Sequence, residues 1–330
     1  MKPAIAIIAG GYSSEYVVSL KSARGIWTFM DKEKFDVYII LITKNKWRAF
    51  LESGSIFPVD KNDFSIVFDD KRVAIDFAYI TIHGSPGENG RLQGYLDMMN
   101  IPYSCCGVLA AALTFDKYHC NRYVKTFGIR TAPSILIRKD EIPTPEKIAA
   151  ELGLPLFIKP NAGGSSFGTT KVSSVEQIEP AIALALKEGN DALIERYLPG
   201  MEVTCGCYKA KGRIRALPVT EVVSKNEFFD FDAKYNPNSV EEITPARISD
   251  ELTVEVQQLT EKIYAQTGAK GIIRVDYIIS PAGEVWMLEI NTTPGMTATS
   301  FIPQQISAAG LNMTEVLTEI IEENLHGTTY

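Results

Sequence analysis

The stretch Ile272–Ser300, IIRVDYIISPAGEVWMLEINTTPGMTATS, holds two apolar runs of β-branched and aromatic residues on either side of a Pro-Ala-Gly turn. That arrangement predicts a β-hairpin. Side chains alternate between the faces of a strand, so Arg274 and Asp276 share one face of the first strand, and Glu289 and Asn291 share one face of the second. A two-residue loop at Ala282-Gly283 pairs Pro281 with Glu284, and the same antiparallel register sets Asp276 opposite Glu289 and Arg274 opposite Asn291. All four polar side chains then project the same way. Two carboxylates facing across a ladder repel each other, and an apolar hairpin tolerates them only beside positive charge. Two sources of that charge are open. One is a divalent cation: Mg²⁺ takes carboxylate and amide oxygens, usually one or two carboxylates plus substrate phosphates, and Asp276, Glu289 and Asn291 supply that set. The other is Arg274, neutralising the acids as a structural cluster.

At 330 residues, 45% hydrophobic and 22% charged, the chain reads as an ordinary globular protein with room for about two or three domains. A net charge of −7 argues against nucleic acid or an anionic membrane as a partner, so any bound anion must be held by local basic groups. No stretch approaches the ~18 to 20 apolar residues of a membrane span. The start, MKPAIAIIAGG, stops at glycines without a cleavage-like segment and reads as a first strand rather than a signal peptide. Cys105, Cys106, Cys120, Cys205 and Cys207 include no C-x-x-C pair and fit buried or free thiols in a reducing compartment. The expectation is a cytoplasmic protein.

Upstream of the hairpin, strands alternate with helices, which predicts α/β layers. The first region, residues 1–112, opens with the strand AIAIIAG, Gly10-Gly11 and a helix from about Ser13 to Phe29. Glycines there let backbone approach a ligand, and the helix start aims N–H groups and a positive dipole end at it. The loop is not the dinucleotide fingerprint G-x-G-x-x-G. Glu15 either favours the helix N-terminus or receives an ammonium. Strands near Asp36–Ile42 and Ala74–Ile82 follow. The second runs into His83-Gly84-Ser85-Pro86-Gly87-Glu88-Asn89-Gly90, a Gly-rich loop at a strand end where open α/β sheets bind ligands. His83 is there as a structural or a catalytic group. A helix over Arg91–Met99 and a short strand, PYSCC, close the region.

In the second region, residues 113–198, Lys159 ends the apolar strand LPLFIKP and precedes NAGGSSFGTT. Small residues, successive backbone N–H groups and the hydroxyls of Ser165 and Ser166 suit an anion grip. No G-K-[ST] follows, so this is not a Walker A loop. The third region, residues 199–330, carries strands around Glu202–Lys209 and Ile214–Thr220, then an irregular stretch, Val223–Arg247, rich in Phe and including Lys234 and Tyr235. A stretch of that length is functional or disordered, and its aromatics argue against disorder. It reads as a lid over bound ligands. A helix from Asp250 to Gly268 leads into the hairpin.

With those residues assembled, the chain resembles the D-alanine–D-alanine ligases of the ATP-grasp superfamily over nearly its full length. The resemblance is carried by GGYSSEYVVSLKSA, HGSPGENGRLQGYLDMMNIPYS, the Asp116-Lys117 helix, FIKPNAGGSSFG, LIERYLPGMEVT, FDAKY, RVDY and LEINTTPGMTATS, in that order. It implies a three-domain ATP-grasp fold of α/β type, with nucleotide bound between the central and C-terminal β-structures. It implies that ATP phosphorylates one D-alanine, whose acyl phosphate a second D-alanine attacks, to make the dipeptide used in peptidoglycan synthesis. Phosphoryl transfer of this kind needs metal and cations to spread charge rather than covalent help.

By the same resemblance Asp276, Glu289 and Asn291 are ligands of two Mg²⁺ ions, which Mn²⁺ can replace, with Glu289 bridging. Lys117 and Lys159 hold nucleotide phosphates, with Ser166 in the same grip, and Lys234 reaches the γ-phosphate from the lid. The segment Glu195-Arg196-Tyr197-Leu198 forms the adenine pocket and Glu202 binds the ribose. Glu15 receives the first D-alanine's ammonium and is linked to Ser165 and Tyr235. Arg274, Gly295 and Ser300 lie near the intermediate and the second substrate's carboxylate, and His83 near the first substrate. Tyr235, where depsipeptide-forming relatives place a histidine, implies an amine nucleophile. A homodimer is also implied. Another carboxylate–amine ligase of the same superfamily, or a nucleotide-binding protein that has lost catalysis, remains open at this point.

Overall fold

The computed structural model describes residues 2–51, 53–68, 71–164, 167–224 and 240–325. Its first sheet forms around β1 (Ala4–Gly10), all of whose residues are buried. β1 lies parallel to β2 (Asp36–Ile42) on one side and to β7 (Phe77–Ile80) on the other. A parallel strand covered on both faces has no polar face to show, which accounts for the unbroken run AIAIIAG. β3 (Trp47–Phe50) and β4 (Ile56–Pro58) extend the order to β4-β3-β2-β1-β7, and a hairpin of β5 (Ile66–Phe68) and β6 (Lys71–Val73) bridges to the edge at Val59 and Ile66. The segment PYSCC makes one parallel bridge, Tyr103 to Ala78, instead of the expected strand.

Helix α1 (Tyr16–Phe29) follows β1 and buries Ser19, Ser22, Ala23 and Ile26. Gly10 and Gly11 between them have φ of 101° and 98°. A Cβ on Gly10 would stand 2.4 Å from the Ile42 carbonyl oxygen, and one on Gly11 2.6 Å from Ile82 Cγ2. Crossing against the neighbouring strand ends therefore requires these glycines, where the sequence reading assigned them to a ligand. Helices α2 (Arg91–Met98), α3 (Val108–Phe115) and α4 (Lys117–Lys125) complete this part.

The second sheet is antiparallel, in the order β10-β9-β11-β8, from β8 (Ser134–Arg138), β9 (Leu156–Pro160), β10 (Thr170–Val172) and β11 (Asp191–Arg196). Helices α5 (Pro145–Leu152) and α6 (Ile178–Glu188) cover one face, where Ile137, Ile148, Leu156, Ile158, Ile182 and Ile194 form a core. The period of two sends Leu156 and Ile158 into that core and leaves Phe157 and Lys159 on the opposite face.

The third sheet is built on β12 (Met201–Ala210), in the order β15-β14-β12-β16-β17, with β13 (Arg213–Ala216) also on β12. The expected single strand 214–220 is thus two pieces, β13 and β14 (Thr220–Ser224). β14 pairs with β15 (Val240–Ile243) through Val223 with Glu241 and Ser224 with Val240. The stretch 223–247 accordingly has residues 223–224 and 240–243 in a ladder, while residues 225–239, with Lys234 and Tyr235, lie outside the described residues. Helix α7 (Asp250–Thr267) is capped by Ser249, which accepts the Leu252 N–H, carries Asp250 and Glu251 in its first turn, and ends at Gly268. It packs Val256, Ile263 and Tyr264 on the sheet. Helices α8 (Phe301–Ala308) and α9 (Met313–Leu325) join a core that runs from Ile5, Ala23 and Ile26 through Tyr208 and Ile272 to Ile302 and Leu317. The first and third sheets thus share one apolar body, while the second has its own core. Among the described residues no helix is long and apolar enough to cross a membrane.

The hairpin pairs β16 (Ile272–Ile279) with β17 (Val285–Asn291). Asp276 faces Glu289 and Arg274 faces Asn291, as the sequence predicts. The route to that register differs. Ser280 and Glu284 close a three-residue turn, with the Ser280 N–H bonded to the Glu284 oxygen at 2.9 Å, and Gly283 takes φ 80°. Ile279 pairs with Val285 and Tyr277 with Met287, after which a bulge leaves Leu288 as the extra residue before Asp276 meets Glu289. Leu288 and Glu289 are consecutive partly exposed positions, while Val285, Met287 and Ile290 are buried.

Candidate active site

Two adjoining cavities, of about 450 Å³ and about 620 Å³, share Lys117, Gly163, Gly164, Arg274, Glu289 and Phe301 as walls. The first lies between the second and third sheets and holds Lys159, Glu195, Arg196, Tyr197, Leu198, Glu202 and Asp276. The second lies against the first sheet and holds Glu15, His83, Glu88, Asn291, Gly295 and Ser300. Ser165 and Ser166 are outside the described residues, as are Lys234 and Tyr235.

Lys117 begins α4, whose N-cap Asp116 accepts the His119 N–H at 3.0 Å. Asn161, the residue after β9, fastens this helix start beside the Gly-rich loop. Its carbonyl accepts the Lys117 N–H at 3.1 Å, its side-chain oxygen the Tyr118 N–H at 2.9 Å, and its side-chain nitrogen donates to Asp116 at 2.9 Å. Lys117 Nζ donates to the Gly163 carbonyl at 2.5 Å and lies 3.9 Å from Glu289. Burial pulls its pKa below the ordinary lysine value, against the pull of the Glu289 charge.

Lys159 Nζ lies 2.6 Å from Glu195 Oε2, two positions along from its ladder partner Leu193. Burial works against the Lys159 charge, and the carboxylates of Glu195 and Glu289 together more than offset it, so the pKa is raised. Asn121, buried on α4, donates to the other Glu195 oxygen at 2.9 Å. The N–H groups of Arg196 and Tyr197 are already bonded to the Pro133 and Pro155 carbonyls, at 3.0 and 3.1 Å. Those two backbone donors are thus committed within the chain, and Arg196 Nε also donates, to the Leu152 carbonyl.

Arg274 grips Asp276 with two parallel bonds, Nε to Oδ1 at 2.8 Å and Nη2 to Oδ2 at 2.7 Å. Thr204, the ladder partner of Asp276 on β12, donates to Oδ1 at 2.6 Å, and Asn291 Nδ2 donates to Oδ2 at 3.0 Å. Burial opposes the Arg274 charge, and the surrounding carboxylates, Asp276 foremost with Glu289 and Glu202, outweigh it and hold the guanidinium protonated. The repulsion between the facing acids is therefore met by the chain's own cations, Arg274 for Asp276 and Lys117 for Glu289.

In the second cavity Glu15 is buried at the foot of α1. A Cβ on Gly164 would come within 2.6 and 2.8 Å of its two carboxylate oxygens, so the Gly-rich loop closes directly on this acid. His83 is buried with Nε2 3.2 Å from Ser22 Oγ; desolvation, helped by the Arg274 charge, lowers its pKa to about 4, so the imidazole is neutral near pH 7. Ser300 precedes α8, its Oγ 2.8 Å from Thr297 Oγ1 and accepting the Thr297 N–H at 3.1 Å. Glu88, which the sequence reading left as one letter of a loop, accepts the Gly84 N–H at 2.6 Å and the Thr293 hydroxyl at 2.8 Å. Desolvation and the nearby Glu15 charge raise its pKa to about 7.

Two family profiles match the chain: "D-ala D-ala ligase N-terminus" over residues 4–106 and "D-ala D-ala ligase C-terminus" over residues 123–322. The chain belongs to the D-alanine–D-alanine ligase family. A member from Azobacteroides pseudotrichonymphae genomovar. CFP2, named D-alanine–D-alanine ligase, is 60% identical over 319 residues, 96% of this chain and 98% of that protein. Among solved members, the VanG D-Ala:D-Ser ligase from Enterococcus faecalis superposes with a TM-score of 0.85 at 31% identity, covering 98% of this chain and 99% of that one. The D-alanine–D-alanine ligase from Bacillus anthracis complexed with ATP gives 0.77 at 26% identity, covering 98% of each. The family fold is the ATP-grasp fold, and the arrangement of sheets described above is an instance of it.

The residues present fit a magnesium site by the chemistry of their donors. Asp276, Glu289 and Asn291 place two carboxylates and an amide on facing strands where the two cavities meet, Asp276 in the first with Lys159, Asn291 in the second, and Glu289 and Lys117 in the wall they share. Hard oxygen donors of this number hold Mg²⁺ when phosphates complete its shell. Among the described residues no group of three or more His, Cys, Asp or Glu side chains stands ready as a cage. Asp276 must release one of its four donors to become a ligand.

Proposed function

We infer that this chain joins two D-alanine molecules at the expense of ATP, in the pathway to peptidoglycan, with ADP and phosphate as the other products. The observation that carries the reading is the meeting of two cavities at Lys117, Arg274 and Glu289. ATP fits the first cavity: Glu195, Tyr197 and Leu198 line its adenine end, Glu202 takes the ribose, and Lys117, Lys159 and Ser166 hold phosphates with Lys234 from the lid. Phosphate oxygens compete with Glu195 for Lys159, so Asn121 is left to hold Glu195 when nucleotide enters. Magnesium, or manganese in its place, held by Asp276, Glu289 and Asn291 as two ions, supplies charge stabilisation of the transferring phosphoryl group.

In the second cavity Glu15, linked to Ser165 and Tyr235, receives the ammonium of the first D-alanine, which aims its carboxylate at the junction. A carboxylate oxygen attacks the γ-phosphorus and ADP leaves. The amine of the second D-alanine, having lost a proton, attacks the acyl carbon; the C–N bond forms, the C–O bond to phosphate breaks, and phosphate departs. Arg274, the Gly295 backbone and Ser300 hold the second carboxylate and the tetrahedral oxyanion, and neutral His83 donates a hydrogen bond near the first substrate. In this reading residues 1–112 hold the first substrate, 113–198 and 199–330 clasp the nucleotide, and 223–247 closes as the lid. Exposed Met98, Val108 and Leu109 on the adjacent helices α2 and α3 support a homodimer, and five buried free thiols support a reducing, cytoplasmic setting.

A coupled ADP-release assay tests the reading. ADP appears only when D-alanine is present, and Glu289→Gln cuts turnover by about 10²- to 10³-fold with an unchanged circular-dichroism spectrum, because charge stabilisation at the phosphoryl group is lost. ADP release that ignores D-alanine overturns the reaction, and near wild-type turnover in Glu289→Gln overturns the placement of phosphate and metal.

A further inference from the structure

The second cavity has an acid that the reaction as described does not use. Glu242 lies on β15 and lines this cavity with Arg274, Ser300 and Phe301. It is half-buried. Gln304 Nε2 donates to its Oε2 at 2.5 Å and to the Thr299 carbonyl at 2.8 Å, which ties β15 to the start of α8 and fixes where the carboxylate points. Arg274 sits with its guanidinium 5.1 Å above the Phe301 ring. Its charge is already matched by the two bonds to Asp276. Glu242 therefore adds a negative charge to the wall it shares with Arg274 and Ser300, the end of the cavity where the ligase reading docks the acceptor's carboxylate. Burial, outweighing the Gln304 bond and the Arg274 charge, raises the Glu242 pKa from its ordinary value, as expected of an acid facing a cavity rather than bulk water.

Resting on the ligase reading above, we propose that Glu242 is a specificity-determining residue of the acceptor subsite. Its negative charge opposes the acceptor's own carboxylate and excludes any acceptor with a second acid. The subsite consequently discriminates by charge, favouring acceptors with uncharged side chains. The amine is untouched by this term, because it points toward the junction while its carboxylate points toward Arg274 and Ser300. A purely structural Glu242, present only to hold Gln304, would not discriminate by charge, and Gln at this position would keep that contact.

The test resolves the two D-alanine KM values in steady-state ADP release with saturating ATP. Wild type, Glu242→Gln, Glu242→Asp and Gln304→Leu are compared, with D-asparagine and D-aspartate added as a matched pair of inhibitors. Expected is a fall in the second-site KM of about tenfold for Glu242→Gln, the first-site and ATP KM staying within twofold. The preference for D-asparagine over D-aspartate shrinks by a similar factor, and Glu242→Asp restores the wild-type pattern. A second-site KM unchanged in Glu242→Gln overturns the proposal. So does a parallel shift of all three KM values, the same pattern in Gln304→Leu, or an undiminished preference for D-asparagine. Absence of D-alanine-dependent ADP release in the wild type instead overturns the ligase reading, and the Glu242 proposal with it.

Discussion

Glu88→Gln separates a carboxyl that is kept neutral by its surroundings from one that merely completes a loop. Glu88 titrates near pH 7 in the folded protein, against 4.5 for an ordinary glutamate, because it is desolvated beside Glu15. Between those two values the folded chain keeps a proton that the unfolded chain has released. Folding stability therefore falls as pH rises from about 4.5 to about 7 and levels off above. The ionisation penalty grows from about 1 kcal/mol at pH 5 to about 3 kcal/mol at pH 8. Glutamine keeps the shape and accepts the Gly84 N–H, and the Thr293 hydroxyl retains the Ile82 carbonyl, 3.3 Å away. Relative to wild type, Glu88→Gln should then gain about 2 kcal/mol more at pH 8 than at pH 5. For a chain of this length that is about 3 °C in thermal midpoint. Differential scanning calorimetry of both proteins at the two pH values measures it, and the subtraction cancels every group not coupled to Glu88. A difference in midpoint that is the same at pH 5 and pH 8, within a degree, refutes the reasoning, because it means that Glu88 is ionised throughout.

Two further substitutions address the two cavities. Gly164→Ala drives a methyl group to within 2.6 Å of Glu15 Oε2; the displaced carboxylate should raise the first-site KM for D-alanine about tenfold, and a first-site KM unchanged within about twofold would contradict the placement of Glu15. Asn121→Leu removes the 2.9 Å bond to Glu195, so the ATP KM should rise about five- to tenfold with both D-alanine KM values unchanged, a split read directly from initial rates.

What the sequence makes legible follows from how far each interaction reaches along the chain. β1, β9 and β16 are strongly apolar runs, and α7 carries its cap, its acids and its terminal glycine in the order a helix needs, so each announces itself locally. β3 to β6, with segments such as WRAF and KRV, are three or four residues long and mix polar with apolar. Alternation cannot be recognised over so short a span, and these strands exist because a neighbour is present to pair with them. The site divides in the same way. Lys117, Lys159, Asp276 and Glu289 stand inside motifs, whereas Glu88, Asn121 and Glu242 acquire their roles from Thr293, Glu195 and Gln304, which are 205, 74 and 62 positions away. No local pattern marks such pairs.

The hairpin shows how a register can be right for a reason that is incomplete. Val285, Trp286, Met287 and Leu288 are four consecutive apolar residues, so no alternation reveals which of them face the core, and a two-residue turn without irregularity is the simplest pairing that sets Asp276 against Glu289. That pairing would turn Val285 and Met287 toward the cleft together with Glu289. The observed three-residue turn instead sends Val285 and Met287 into the core. Continued without interruption, it would carry Glu289 in after them. An unpaired carboxylate in that apolar core costs several kcal/mol or forces its own protonation. One extra residue, Leu288, reverses the phase and returns Glu289 to the junction of the cavities. The bulge is therefore the point at which the demands of the core and those of the cavity junction are reconciled, since a strand of strict period two satisfies one and violates the other.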